Sequence, residues 1–113
     1  MSEWVDVCAL GDIPEPGARR VMLGAEAVAV VRSEGQMYAI RDVCSHADVA
    51  LSEGEVEGCF IECWLHGSRF DLRTGVPASL PALSAVPVYA VRVDGIGPQA
   101  RIHVSLNAGG QSA

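Results

Sequence analysis

The chain reads as an all-β domain, and three observations predict this. Apolar residues alternate with polar ones at period two through most of its length. Short clusters of Gly, Ser, Asp and Thr punctuate the alternation as turns do. No window carries an apolar stripe at helical spacing across three turns.

The elements follow in order. Trp4 to Cys8 is a first alternating stretch, and Arg19 to Leu23 a second. Ala27 to Arg32 opens on one of the longest apolar runs, Ala27 to Val31, which is strand-length. The turn Ser33-Glu-Gly-Gln36 separates it from Met37 to Arg41. Three short strands are expected at Glu55 to Glu57, Phe60 to Glu62 and Arg69 to Asp71, followed by the turn Arg73-Thr-Gly75. Val86 to Val93 and Ala100 to Leu106 then flank the turn Asp94-Gly-Ile-Gly97. The end, residues 107–113, is small and polar and is expected to fray. This gives a single domain over residues 1–106 with no internal repeat.

Composition bounds the function. With 113 residues, half of them hydrophobic, the chain can build a core without disulfide staples. No apolar run approaches the ~20 residues a membrane-spanning helix needs. The start, Met-Ser-Glu-Trp-Val-Asp, has neither a basic segment nor a following apolar stretch, so a cytoplasmic protein is expected. A net charge of -6 argues against nucleic acid, whose phosphates demand clustered Lys and Arg. That charge serves solubility. The acids Asp48, Glu53, Glu55 and Glu57 could also steer the protein toward basic patches on partner proteins.

Chemistry concentrates in two short segments. Cys44-Ser-His46 and, after 16 residues, Cys63-Trp-Leu-His66 supply two thiols and two imidazoles. Zinc fingers group two cysteines before two histidines. Here the order is Cys, His, Cys, His. Each pair follows an apolar strand, so each falls on a strand-to-loop exit, where functional groups are common.

This pattern resembles the Rieske family, in which C-x-H and C-x-x-H hold a 2Fe-2S cluster with two histidines on one iron. The resemblance extends through Leu51-Ser-Glu-Gly54 and through the run from His66 to Gly75, and spans roughly Trp4 to Leu106. It implies a Rieske-like fold of stacked antiparallel sheets, with a small cluster-binding subdomain at about 42–83 built from two loops. It implies one Rieske-type 2Fe-2S cluster. Cys44 and Cys63 would bind the buried iron, and His46 and His66 the outer one. Two ferric ions, two sulfides and two thiolates sum to zero, against -2 for a four-cysteine cluster, so an electron is accepted more readily.

Within that family the potential spans about -150 to +300 mV. High-potential respiratory members carry a disulfide at the positions held here by Val49 and Leu65, so that bridge cannot form. They also place a serine and a tyrosine hydroxyl near the cluster sulfurs; the matching residues are Ser68 and Phe70. A potential in the lower half of the range is expected. Ser68 either contacts the cluster or makes a backbone hydrogen bond. Trp64 either shields the cluster, presents an aromatic docking surface or packs its own loop. Pro77 to Pro81 resembles the family's rigid cover segment, which makes Pro81 a further tuning candidate.

Several residues outside the motif are read structurally. Cys8 and Cys59 are expected as small buried hydrophobes. Trp4 and Tyr89 are expected in the core, and His103 as an ordinary strand residue. No nucleophile-base pair or phosphate loop is present, so the chain is not read as an enzyme. The leading expectation is a monomeric ferredoxin carrying single electrons from a flavin-dependent reductase to a terminal oxygenase through transient contacts. The alternatives are a small subunit of a larger oxidoreductase, such as assimilatory nitrite reductase, and an accessory protein of iron-sulfur assembly.

Overall fold

In the computed structural model residues 4–45, 48–65, 67–78 and 84–106 are described. Among the described residues nine strands form: β1 (Val5–Ala9), β2 (Gly17–Leu23), β3 (Glu26–Ser33), β4 (Gln36–Arg41), β5 (Glu55–Glu57), β6 (Phe60–Glu62), β7 (Arg69–Asp71), β8 (Val88–Asp94) and β9 (Arg101–Ser105). All nine expected strands are present, shifted by at most two residues. The frayed tail expected at 107–113 lies outside the described residues.

Two short 3-10 turns break the all-β pattern, at Leu10–Asp12 and Leu51–Glu53. Periodicity over many residues does not register single turns of this length. Strand β8 starts at Val88 rather than Val86 because Pro87 has no N–H to give the ladder.

The strands make two antiparallel sheets. The larger runs β1-β9-β8-β4-β3-β2, and the smaller runs β5-β6-β7. The β3–β4 hairpin closes through Glu34 and Gly35, with φ of 54° and 78°. Two consecutive positive φ values suit the right-handed twist of the strands it joins. Strand β1 bulges between Asp6 and Cys8, where Val7 is the extra residue opposite β9.

Strand β3 is buried on both faces. Val28 and Val30 point into one core with Cys8, Ile13, Ala39, Tyr89, Ile102 and Val104. Ala29 and Val31 point into a second, with Ile40, Leu51, Ile61, Phe70 and Leu72. This is why the run from Ala27 to Val31 is apolar without alternation.

The residues outside the motif divide between core and surface. Cys8 is buried at 4% exposure. Cys59 is only half-buried, because it lies in the β5–β6 turn beside Gly58 rather than within a strand. Trp4 is half-buried instead of central, with the Arg92 guanidinium 4.7 Å from its ring centroid. His103 sits in β9, its Nδ1 3.0 Å from Asp94 on β8.

Tyr89 is buried as expected, and its hydroxyl ties three strands. It donates to Glu26 Oε2 at 2.5 Å, and Arg41 Nε donates to the same oxygen at 2.7 Å. Those two hydrogen bonds hold the Glu26 carboxyl below its usual range. Burial, then the bond to Glu26, pushes the Tyr89 phenol from 10.0 up to about 12. A raised folded-state value means that this stabilisation is complete below pH 10 and is lost as pH rises toward 12. Tyr89→Phe should therefore cost about 1–2 kcal/mol at neutral pH. In urea titrations the gap from wild type should close between pH 10 and 12; a constant gap would contradict this.

Candidate metal centre

A long excursion between β4 and β8 carries every residue of interest. It leaves after Arg41 and returns at Pro87, and its base is shut by Arg41 N–H donating to Pro87 O at 3.0 Å. Asp42 N–H donates to Ala27 O at 2.9 Å, which seats the start of the excursion on β3. The excursion then folds as a first loop, the turn Leu51–Glu53, β5, β6, a second loop, β7 and a returning segment.

The first loop turns on itself, with Cys44 N–H donating to Val49 O at 2.9 Å. Its far end is anchored by Leu51, which is fully buried. Its base is closed by Asp42, whose two carboxylate oxygens accept from Ser52 N and Ser52 Oγ, each at 2.6 Å. Ser45 Oγ donates to Ser84 O at 2.5 Å, linking this loop to the returning segment.

The second loop is tighter. Cys63 N–H donates to Ser68 O at 2.7 Å and Gly67 N–H to Cys63 O at 2.9 Å. Gly67 has φ of 80°, a left-handed conformation that spares glycine the steric cost other residues incur. The strand pair β6–β7 supports the loop from below, with Ile61 opposite Phe70. Pro77 bridges Phe70, and Ala78 N–H donates to Arg69 O at 2.6 Å.

These two loops bring Cys44 and Cys63 into one buried cluster, at 3% and 1% exposure, walled by Leu51, Ile61, Phe70 and Leu72. Val49 packs against the same cluster. Ser68 is fully buried, whereas Trp64 and Leu65 are 52% and 40% exposed. The second loop thus turns its cysteine inward and its next two apolar side chains outward. Asp48, Glu53, Glu55 and Glu57 are all exposed. His46, His66 and Pro81 lie outside the described residues.

The donor set fits an iron-sulfur centre. Thiolates are the common ligands of such clusters, and here two come from separate loops, each braced by its own backbone hydrogen bonds. An apolar wall limits solvent access and so helps to set a potential.

Comparison with known proteins agrees. The family model for the Rieske 2Fe-2S domain matches residues 3–90. The chain belongs to the Rieske family. It is 43% identical, over 91 residues, to the ferredoxin CarAc of Metapseudomonas resinovorans, covering 80% of this chain and 85% of that one. It superposes on the ferredoxin of carbazole 1,9a-dioxygenase from Nocardioides aromaticivorans IC177 with a TM-score of 0.84 and 37% identity, over 92% of this chain and 98% of the other. It also matches a chain in a complex of reduced oxygenase and oxidised ferredoxin of carbazole 1,9a-dioxygenase, with a TM-score of 0.79 and 37% identity over 93% and 94% of the two chains. This Rieske protein accordingly carries one 2Fe-2S cluster and is an electron-transfer protein rather than a catalyst.

Two features of the site have no counterpart among the sequence motifs. One is the Asp42–Ser52 closure; its only signal is an acid at a strand exit two residues before Cys44. The other is the Ser45–Ser84 link, which joins residues 39 apart and has no local signature.

Proposed function

We propose that this chain is the carrier that takes single electrons from a flavin-dependent reductase and hands them to the terminal oxygenase of a multicomponent aromatic-ring oxygenase system in the cytoplasm. The observation that carries the reading is the burial of Cys44 and Cys63 together next to the exposed Trp64 and Leu65, in a chain similar over about 80% of its length to ferredoxin components of dioxygenases. Cys44, Cys63, His46 and His66 would hold the cluster, the two cysteines from its buried side. When bound, the cluster supplies one-electron redox chemistry.

The chain's own residues do the rest. The buried thiol side excludes water through Leu51, Ile61 and Phe70. Trp64 and Leu65 stand out from the second loop, one and two residues beyond the inner ligand, and give a partner an apolar surface to desolvate. Exposed acids at Asp48, Glu53 and Glu55 in and beyond the first loop favour approach to a basic-rimmed surface and set an ionic-strength dependence on the encounter. Ser68 follows Gly67 in the tight second loop, and its hydroxyl would raise the potential by donating a hydrogen bond to the cluster.

Reduced protein should give the Rieske EPR signal, with an average g below that of four-cysteine clusters. Cys44→Ala, Cys63→Ala, His46→Ala and His66→Ala should each abolish it; a wild-type signal in any one would remove that residue from the ligand set. Protein-film voltammetry should place the midpoint in the lower half of the Rieske range of about -150 to +300 mV. Ser68→Ala should lower it further by up to ~60 mV, the one-electron equivalent of about 1.4 kcal/mol. With a reductase and a dioxygenase supplied, product formation should require this chain, and Trp64→Ala should raise its half-saturating concentration several-fold at unchanged midpoint potential. Turnover that ignores the added ferredoxin would refute the carrier role.

A further inference from the structure

We propose that Asp42 and Ser52 form a positioning latch that sets the first thiol-bearing loop against the second, and so governs how firmly the cluster is held; this rests on Cys44 and Cys63 being ligands. A charge stands here in an unusual place. Among the described residues Asp42 is the one fully buried acid or base, with no side-chain exposure.

Burying a carboxylate costs several kcal/mol unless donors replace its water. Two donors and one nearby cation do so here. Ser52 N and Ser52 Oγ reach one carboxylate oxygen each at 2.6 Å, and Arg20 Nε, from half-exposed β2, lies 3.7 Å from Oδ2. An apolar residue would fill the same space without needing any of them. The carboxylate achieves what an apolar residue cannot: directional bonds across a gap of ten residues.

That gap spans the first loop. Asp42 stands two residues before Cys44, and Ser52 eight after it, so the pair pinches the loop at its base. Ser52 belongs to the 3-10 turn Leu51–Glu53, whose Leu51 is buried in the same cluster as both thiols. The turn ends on Gly54, where an added Cβ would lie 1.7 Å from the carbonyl oxygen of Glu62. Glu62 immediately precedes Cys63. The turn is therefore wedged between the residue two before one thiol and the residue just before the other. Whatever fixes the turn fixes the separation of the two loops.

The test is the rate at which the holoprotein loses its cluster to a ferrous-iron chelator, followed by visible absorption far below the melting temperature. Ser52→Ala deletes one of two short bonds to a charged acceptor, so release should quicken about tenfold or more. Its EPR lines should broaden as the ligand geometry spreads. Ser52→Thr keeps a hydroxyl and should restore slow release, and Asp42→Ala should lose the cluster faster than Ser52→Ala. Cys44→Ala is run in parallel. A normal cluster in Cys44→Ala would overturn the ligand reading itself. Loss of the cluster in Cys44→Ala together with wild-type release and line shape in Ser52→Ala would overturn the latch alone. So would a Ser52→Ala protein whose melting temperature falls equally in apo and holo forms with no change in release rate.

Discussion

Strand β3 has no solvent face, and the rest of the molecule is organised around that constraint. Its even-numbered valines, Val28 and Val30, complete the core of the large sheet. Its odd-numbered Ala29 and Val31 need cover from the opposite side. The excursion between β4 and β8 supplies it, through Leu51, Ile61, Phe70, Leu72 and the two cysteines. The small sheet is thus more than a pedestal for the site: with its flanking loops it is the lid of the second core, and the thiols on those loops are two of that lid's buried side chains. Burial of these residues provides the drive that holds the lid down, at roughly 25 cal/mol per Å² of apolar surface removed from water.

This arrangement explains how a small domain can hold two loops still enough for electron transfer. Each loop is braced within itself, by Cys44–Val49 in the first and by Cys63–Ser68 and Gly67–Cys63 in the second. Ser45 joins the first loop to the returning segment. The base of the whole excursion is pinned by Arg41–Pro87, beside the Tyr89–Glu26–Arg41 group. Bracing of the two thiol-bearing loops would reduce the reorganisation that accompanies a change of charge, which is the sense in which scaffold packing serves redox chemistry.

The surface above the site has two characters. Trp64 and Leu65 offer apolar area that costs little to desolvate, while the acids of the first loop and of β5 carry charge. Exposed apolar area together with exposed charge suits brief, repeated encounters: charge speeds approach, and a small apolar contact gives little reason to stay. On the proposed carrier role, a tight complex would slow a protein that visits a reductase and an oxygenase in turn.

Much of this organisation is legible in the amino-acid sequence. Alternation and turn residues locate all nine strands because each alternating stretch has one side to bury, and the Cys-x-His and Cys-x-x-His spacings carry the resemblance to the Rieske family, from which the 2Fe-2S cluster follows. The unbroken apolar run from Ala27 to Val31 marks a strand, but its burial on both faces is visible only where the small sheet covers it. Cys59 resembles a core residue by its apolar neighbours yet sits at a turn, since composition cannot tell a strand end from the hairpin beside it. Asp42 carries no distinguishing signal, because an acid at a strand exit ordinarily faces water. Local sequence determined the strands and the two Cys/His motifs, whose rules act over a few residues. Tertiary structure alone decided which loops meet and which carboxylate is buried between them, because those contacts join residues that are distant in the chain.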